Sequence, residues 1–201
     1  MTESPSDFYS RRPEKYDSKY GYPDDVSERL VNLADLFASK VEKGKILDAG
    51  CGTGRETHYF SRKGFDVIGI DVAEKAIELA RKRKEGSYKV MNFRDLKFNN
   101  RSFSGVWCVA AIFFMEKKEM KNSLKEFERV LKPKGLLHVS FKEGEGKRVK
   151  EKRGSKINEY LVSESEAKKM IEDAGFEIIK KSTTENSQEK KFMNFIARKA
   201  K

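Results

Sequence analysis

The sequence predicts an α/β domain in which a mostly parallel sheet carries helices on both faces. Three observations point there. Short apolar runs alternate along the chain with stretches of helical periodicity, the first run opens into a glycine-rich turn, and the last two runs follow one another without a helix between them. At 201 residues the chain suits one domain. With 37% hydrophobic residues and 14 Phe, it can bury roughly two-thirds of its unfolded surface without a disulfide or structural metal.

Residues 1–23 lack apolar periodicity and place Tyr9, Tyr16, Tyr20 and Tyr22 among Arg11, Arg12, Lys15 and Lys19, the composition of an arm or lid ahead of a domain spanning 24–201. Asp24 and Asp25 then offer an N-cap to an amphipathic helix with Val26, Leu30, Leu33 and Phe37 on one face. Strands are expected at 45–47, 65–70, 88–91, 106–109 and 136–139, each a short apolar run. Helices are expected between them at 54–62, 73–84 and 118–131, where sets such as Leu124, Phe127, Val130 and Leu131 repeat at i, i+3, i+4 spacing. Residues 142–156 hold three Gly and seven Lys or Arg, which reads as a loop. Ser163-Glu164-Ser165-Glu166 is a capping-box signature for a helix that ends at Ala174-Gly175. The strands 176–179 and 192–197 finish the chain as an antiparallel pair flanking polar residues 180–191.

Composition narrows the function classes. The longest apolar run, Val106–Met115, is ten residues, half of a membrane span, and the polar start lacks a signal-peptide core. A soluble, cytoplasmic protein, monomeric or homodimeric, is the expectation. Two Cys and two widely separated His form no metal-ligand cluster. The balance of 43 Lys+Arg against 32 Asp+Glu gives a net charge of +11, which fits an RNA partner or a heavily solvated surface with both signs interspersed.

The most informative segment is Ile46-Leu47-Asp48-Ala49-Gly50-Cys51-Gly52-Thr53-Gly54-Arg55. A glycine-rich turn from strand to helix lets backbone approach a ligand at the carboxyl edge of the sheet. A dinucleotide site would read Gly-x-Gly-x-x-Gly, whereas this loop reads Gly-x-Gly-x-Gly and follows Asp48, a carboxylate that would repel pyrophosphate. That charge suits a ligand bearing an ammonium or sulfonium, as S-adenosylmethionine does; a tight turn and nothing more is the bland alternative. Asp71 follows Gly50 by 21 residues, where an acidic side chain accepts both ribose hydroxyls or caps the next helix. In Met91-Asn92-Phe93-Arg94-Asp95-Leu96, Asn92 offers an amide to an adenine edge. Phe93 offers either a ring face or a core residue.

These residues resemble the Rossmann-like S-adenosylmethionine-dependent methyltransferases over roughly residues 16–199, through ILDAGCGTG, GIDVAEKAIELAR, VMNFRDLKF and the turn at Leu131-Lys132-Pro133-Lys134-Gly135. Within that family, Trp107 and the segment Ser140–Gly146 resemble a branch of small-molecule methyltransferases. The resemblance implies a three-layer αβα sandwich around a seven-stranded sheet with only the last strand antiparallel. It implies S-adenosylmethionine as cofactor and S-adenosylhomocysteine as product, held by Asp48, Gly50, Cys51, Gly52, Asp71, Val72, Asn92, Phe93 and the backbone near Val109. Tyr20, or Tyr16, would close over the methionine end. Relatives of that branch carry Ser and His where this chain has Ala111 and Phe114, and often Asp where it has Asn92.

Methyl transfer from a sulfonium is an in-line displacement, so positioning supplies most of the catalysis and a general base is optional. The segment Ala110-Ala111-Ile112-Phe113-Phe114 is apolar and lacks the Asp/Asn-Pro-Pro-aromatic and Pro-Cys patterns of nucleic-acid methyltransferases. It suits a small, partly hydrophobic acceptor with Phe113 and Phe114 as walls, unless both are core. Of the polar groups after the fifth strand, Lys142, Glu143 and Glu145, Glu143 is the first catalytic candidate, with a solvated loop carboxylate as its alternative. His58, His138 and Cys51 read as structural. A binding module without catalysis, or an RNA methyltransferase using its basic surface, are the competing readings.

Overall fold

The computed structural model describes residues 2–11, 28–82, 85–152, 154–185 and 191–200. Among them the strands are β1 (Lys45–Ala49), β2 (Asp66–Asp71), β3 (Ser87–Val90), β4 (Phe103–Cys108), β5 (Leu131–Lys142), β6 (Lys147–Lys152), β7 (Ser155–Tyr160), β8 (Phe176–Glu185) and β9 (Lys191–Lys199). The helices are α1 (Pro5–Ser10), α2 (Glu28–Lys40), α3 (Arg55–Arg62), α4 (Glu74–Arg81), α5 (Lys117–Val130) and α6 (Glu164–Asp173), with a 3-10 turn at Ile112–Phe114.

Seven strands form one sheet in the order β3-β2-β1-β4-β5-β9-β8, and β6 pairs only with β7. Pairing is parallel from β3 through β5, while β9 runs antiparallel to both β5 and β8. The reversed last strand is therefore the one the resemblance implied. Alternation along the central strands buries both faces. Ile46, Val67, Trp107 and Leu136 face Phe37 of α2 and Phe60 of α3, and the Trp107 ring lies 5.2 Å from each of those rings. Leu47, Ile70, Val106 and Leu137 face the other way, into a core with Leu124 and Phe127 of α5 and Ile171 of α6. The capping box at Ser163 and Glu166 forms as expected.

Three expectations need correction. Residues 142–156 are no loop: β5 runs on to Lys142, and 147–160 make an antiparallel hairpin with Lys150 opposite Ile157 and Arg148 opposite Glu159. Its inward positions Ser155, Ile157 and Glu159 are buried, and the charge that argued for a loop is absorbed by ion pairs on Glu159. The polar stretch after residue 179 likewise continues β8 to Glu185, across a register shift between Ile178 and Lys180. The Leu131–Gly135 turn is a bulge inside β5, with Leu131 opposite Phe103, Leu136 opposite Gly105 and Lys134 at a left-handed φ of 63°. The expected caps Asp24 and Asp25, with Tyr16 and Tyr20, lie outside the described residues.

Candidate active site

Parallel strands bring their carboxyl ends to one edge, and there the loops after β1, β2, β3 and β4 enclose a cavity of about 430 Å³, within the ~300–1,000 Å³ usual for ligand clefts. Gly50 and Gly52 sit at left-handed φ of 83° and 53°. At Gly50 a Cβ would come within 2.4 Å of the Ala111 Cβ, while at Gly52 a Cβ would meet nothing within 4 Å. The first glycine is required by packing; the second leaves the cavity floor open to a ligand.

Two sets of bonds hold the loop. The Gly50 and Cys51 N–H groups donate to the Ile70 carbonyl (2.8 and 2.9 Å), and the Asp71 carboxylate accepts from Gly52 N–H at 2.9 Å and Ala73 N–H at 2.8 Å. Asp71 thus does cap the start of α4, yet it also lines the cavity, and two carboxylate oxygens have lone pairs to spare after two bonds. Burial lifts its carboxyl above the usual range, against the pull of these backbone donors.

Gly50, Cys51, Gly52, Asp71, Val72, Asn92, Phe93 and Val109 all line this cavity. Asp48 does not. It lies beneath the loop, 1% exposed, accepting the Thr57 hydroxyl at 2.7 Å, and burial, with the nearby Glu56 charge, raises its carboxyl to about 8. Besides Asp71, the cavity is lined by the carboxylates of Glu119 and of Glu56, the latter in the first turn of α3 and ion-paired with Arg55. Sequence reasoning missed Glu56, although the first turn of the helix after a glycine loop is where an acidic side chain is favoured. Asn92 accepts from Arg94 N–H at 3.0 Å, and Arg94 pairs with Glu119 at the rim. Phe93 serves both expected ends, lining the cavity while its ring packs 5.7 Å from Phe127.

The β4 loop forms the opposite wall with Ala110, Ala111, Phe114 and Met115. Ala110 holds a left-handed φ of 53°, rare for a residue with a Cβ, and its N–H donates to the Ser140 hydroxyl at 2.8 Å. Over this wall lies α1. Ser6 donates to the Val72 carbonyl at 2.9 Å, and the Tyr9 ring meets Phe114 edge-on at 5.4 Å. Glu3 N–H donates to the Lys156 carbonyl at 2.7 Å. The first residues therefore cross from the β6–β7 hairpin to the end of β2, and Tyr9 lines the cavity beside Phe114.

Glu143 is exposed and outside the cavity lining, because β5 continues past the edge and its N–H is engaged by the Lys191 carbonyl. Neither histidine lines the cavity: His58 pairs with Glu85 at 2.8 Å, and His138 stacks on Trp107 at 3.8 Å within the core. Burial pushes His138 down to about 3. Burial and the charges of Asp48, Asp71 and Glu56 raise the Cys51 thiol well above its ordinary range, so it packs as an inert thiol. No metal-ligating cluster occurs among the described residues.

Residues 46–135 match the profile of a methyltransferase domain family. The chain is similar to an uncharacterized methyltransferase, YodH, of Bacillus subtilis (strain 168), at 37% identity over 98 residues, covering 46% of this chain and 40% of YodH. It is also similar to the malonyl-[acyl-carrier protein] O-methyltransferase of Yersinia pestis, at 29% over 140 residues, covering 66% and 48%. A crystal structure of an S-adenosylmethionine-dependent methyltransferase from Methanosarcina mazei superposes with a TM-score of 0.75 at 25% identity, over 82% of this chain and 97% of that one. Over residues 46–135 the chain carries the pattern of a methyltransferase domain, and its fold is that of S-adenosylmethionine-dependent methyltransferases. S-adenosylmethionine is its cofactor, and the fold is Rossmann-like. The chain spans about half the length of the curated relatives it matches. The family match covers the glycine loop, Asp71, Asn92 and the β4 wall, the same four elements that enclose the cavity. The fit is also chemical: Gly52 leaves room for a ligand, Asp71 keeps acceptor capacity toward a ribose, and Glu56 presents the anion an ammonium seeks.

Proposed function

We propose that the protein transfers the methyl group of S-adenosylmethionine to a small-molecule acceptor, relying on positioning rather than on a general base. The observation that carries this reading is one cavity whose lining combines the polar groups Asp71, Asn92 and Glu56 with the apolar side chains Ala111, Phe114 and Met115 and the Tyr9 ring, and holds no histidine.

When bound, the cofactor supplies an electrophilic methyl on a positive sulfur, and the chain's own residues do the rest. Asp71 accepts the ribose hydroxyls, Phe93 and Val72 pack the base, and Glu56 faces the ammonium. The Ser140 bond to Ala110 fixes the backbone of the wall against which the acceptor must lie. Holding acceptor and methyl about 3–3.5 Å apart and in line is worth several kcal/mol, since ~7–11 kcal/mol is available from full pre-orientation. Tyr9 and Phe114 close the acceptor side and exclude water. An amine already neutral or a thiolate reacts there without proton removal. The free, buried thiols of Cys51 and Cys108 fit a reducing compartment, and we place the reaction in the cytoplasm. No described helix is long and apolar enough to cross a membrane.

Titration calorimetry with S-adenosylmethionine, followed by a screen for S-adenosylhomocysteine release over thiols, amines, phenols and short RNAs, tests the reading. Saturable cofactor binding with turnover on a small molecule is expected. Turnover on RNA alone, or binding with no turnover on any class, would replace it with the RNA or the non-catalytic reading.

A further inference from the structure

The wall opposite the glycine loop turns on one strained residue. Among the described residues three non-glycine positions hold a positive φ, Arg101, Ala110 and Lys134, and of these only Ala110 lines the cavity. Its φ of 53° costs an alanine steric energy that a glycine would not meet. The strain arises where β4 leaves the sheet. The parallel ladder between β4 and β5 ends at Cys108 opposite Val139, so the Ala110 N–H falls beyond the last strand partner and needs another acceptor. Ser140, the next residue of β5, supplies it: Ser140 is 1% exposed, and its hydroxyl accepts that N–H at 2.8 Å. The residues after Ala110 depend on this turn. Ala111 lies flush on the glycine loop, since a Cβ at Gly50 would stand 2.4 Å from the Ala111 Cβ. The 3-10 turn that comes next buries Ile112 and Phe113 and brings Phe114 to the cavity. It is closed by the Phe114 N–H on the Ala111 carbonyl and the Met115 N–H on the Ile112 carbonyl, both at 3.2 Å.

We propose that Ser140 is a positioning residue for the methyl-transfer site: its hydroxyl holds Ala110 in the left-handed turn that seats Ala111 on Gly50 and Phe114 at the acceptor side, so that one buried bond sets both the edge of the cofactor's loop and the acceptor wall. This deepens the methyltransferase reading above and rests on it for what the wall does. The energy of a left-handed alanine and the net worth of one hydrogen bond are of the same order, so this bond is enough to offset the strain. Without it Ala110 keeps the strain and gains an unpaired N–H, and both favour a different turn. The cofactor then binds only the fraction of molecules whose wall is in place, and its apparent affinity falls by that fraction. Ser140 does not itself line the cavity, so it acts through Ala110 and not on a reactant.

The test uses the full chain and reads S-adenosylhomocysteine affinity by calorimetric titration and hydrogen exchange at the Phe114 and Met115 amides by NMR. Ser140→Ala should bind S-adenosylhomocysteine about 10-fold more weakly and exchange both amides faster. Ala110→Gly placed in that variant removes the strain without restoring the hydroxyl; it should recover at least half of the lost affinity on a logarithmic scale and slow both amides again. Ala110→Val, whose β-branched side chain resists a left-handed φ, should reproduce the Ser140→Ala loss with the hydroxyl intact. Ser104→Ala removes a buried hydroxyl from the other end of β4 and should change neither readout. Thermal melts identify any variant that loses its fold, and if Ser140→Ala is one, Ala110→Val carries the comparison. Affinity within twofold of wild type with unchanged exchange in Ser140→Ala, no recovery on adding Ala110→Gly, or an equal loss in Ser104→Ala would overturn the proposal. None of these readouts needs an acceptor. A wild type that binds S-adenosylhomocysteine yet turns over S-adenosylmethionine with no acceptor would therefore remove the transfer reading alone.

Discussion

Replacing Asp71 by Asn separates a ligand-binding carboxylate from a mere helix cap, because the change keeps the shape and removes the charge. In the wild type its two oxygens accept from Gly52 N–H at 2.9 Å and Ala73 N–H at 2.8 Å. An amide retains one acceptor, enough for Ala73, and turns its NH2 toward a donor at Gly52. The loop thereby loses an anchor and a bound ribose loses a charged acceptor. Hydrogen bonds to charged groups contribute roughly 1.5–3 kcal/mol, so affinity for S-adenosylhomocysteine should fall roughly 10- to 150-fold at ~1.4 kcal/mol per decade. The melting temperature should move little, since Asp71 and Gly52 border an open cavity where water can take up the freed N–H. Calorimetric titration with S-adenosylhomocysteine, beside a thermal melt, reads both quantities. Affinity within twofold of wild type in a folded variant would refute the ribose role and leave Asp71 as a cap alone.

The two glycines of the loop should behave oppositely. Gly50→Ala forces a left-handed alanine whose Cβ meets the Ala111 Cβ at 2.4 Å and should cost about 2–5 kcal/mol of stability in urea denaturation, an unchanged midpoint counting against the close approach. Gly52→Val should cost about 1–2 kcal/mol for its left-handed φ, remain folded and abolish cofactor binding, since its side chain enters open cavity; retained binding would sink the loop assignment. Acid sensitivity should trace in part to His138. Its folded pKa of about 3 lies below the ordinary 6.5, so its contribution is intact above pH 6.5 and is lost as pH falls from there toward 3. By pH 5 that amounts to about 2 kcal/mol. His138→Phe should flatten the stability curve between pH 7 and 5, and an identical slope would show that another group titrates. Turnover in His58→Ala should remain within about tenfold of wild type, because a general base is typically worth 10²–10⁴-fold; a loss beyond a hundredfold with normal cofactor affinity would restore a base role.

Most of the sheet was legible because its signals are local. Runs such as Ile46-Leu47 and Val106-Trp107 are apolar on both faces, the mark of a doubly covered strand, and Leu124, Phe127 and Val130 show the helical period within one window. The β6–β7 hairpin was not legible, since its stability comes from Glu159 meeting Lys142, Arg148 and Lys150 across strands, and composition registers those charges only as solvated. The same limit applies within the site. Spacing located the glycine loop and Asp71, but it cannot say which way a carboxylate turns. Asp48 turned into the protein toward Thr57, and the cavity received Glu56 in its stead. Tyr9 was grouped with the arm's other tyrosines, yet only its packing on Phe114 distinguishes it.

The path of the first residues has a consequence for synthesis. Glu3 closes onto Lys156, and Thr2 onto Asn158 across 156 positions of sequence, so the segment that roofs the cavity is made well before its partner strand. At ~5–20 residues per second of translation, α1 waits on the order of 10–30 s beside the ribosome before β7 emerges. During that interval the emerging sheet and its glycine loop lack their cover. The nascent chain thus keeps its ligand edge open until then, and a cofactor present during translation can enter before the roof is set.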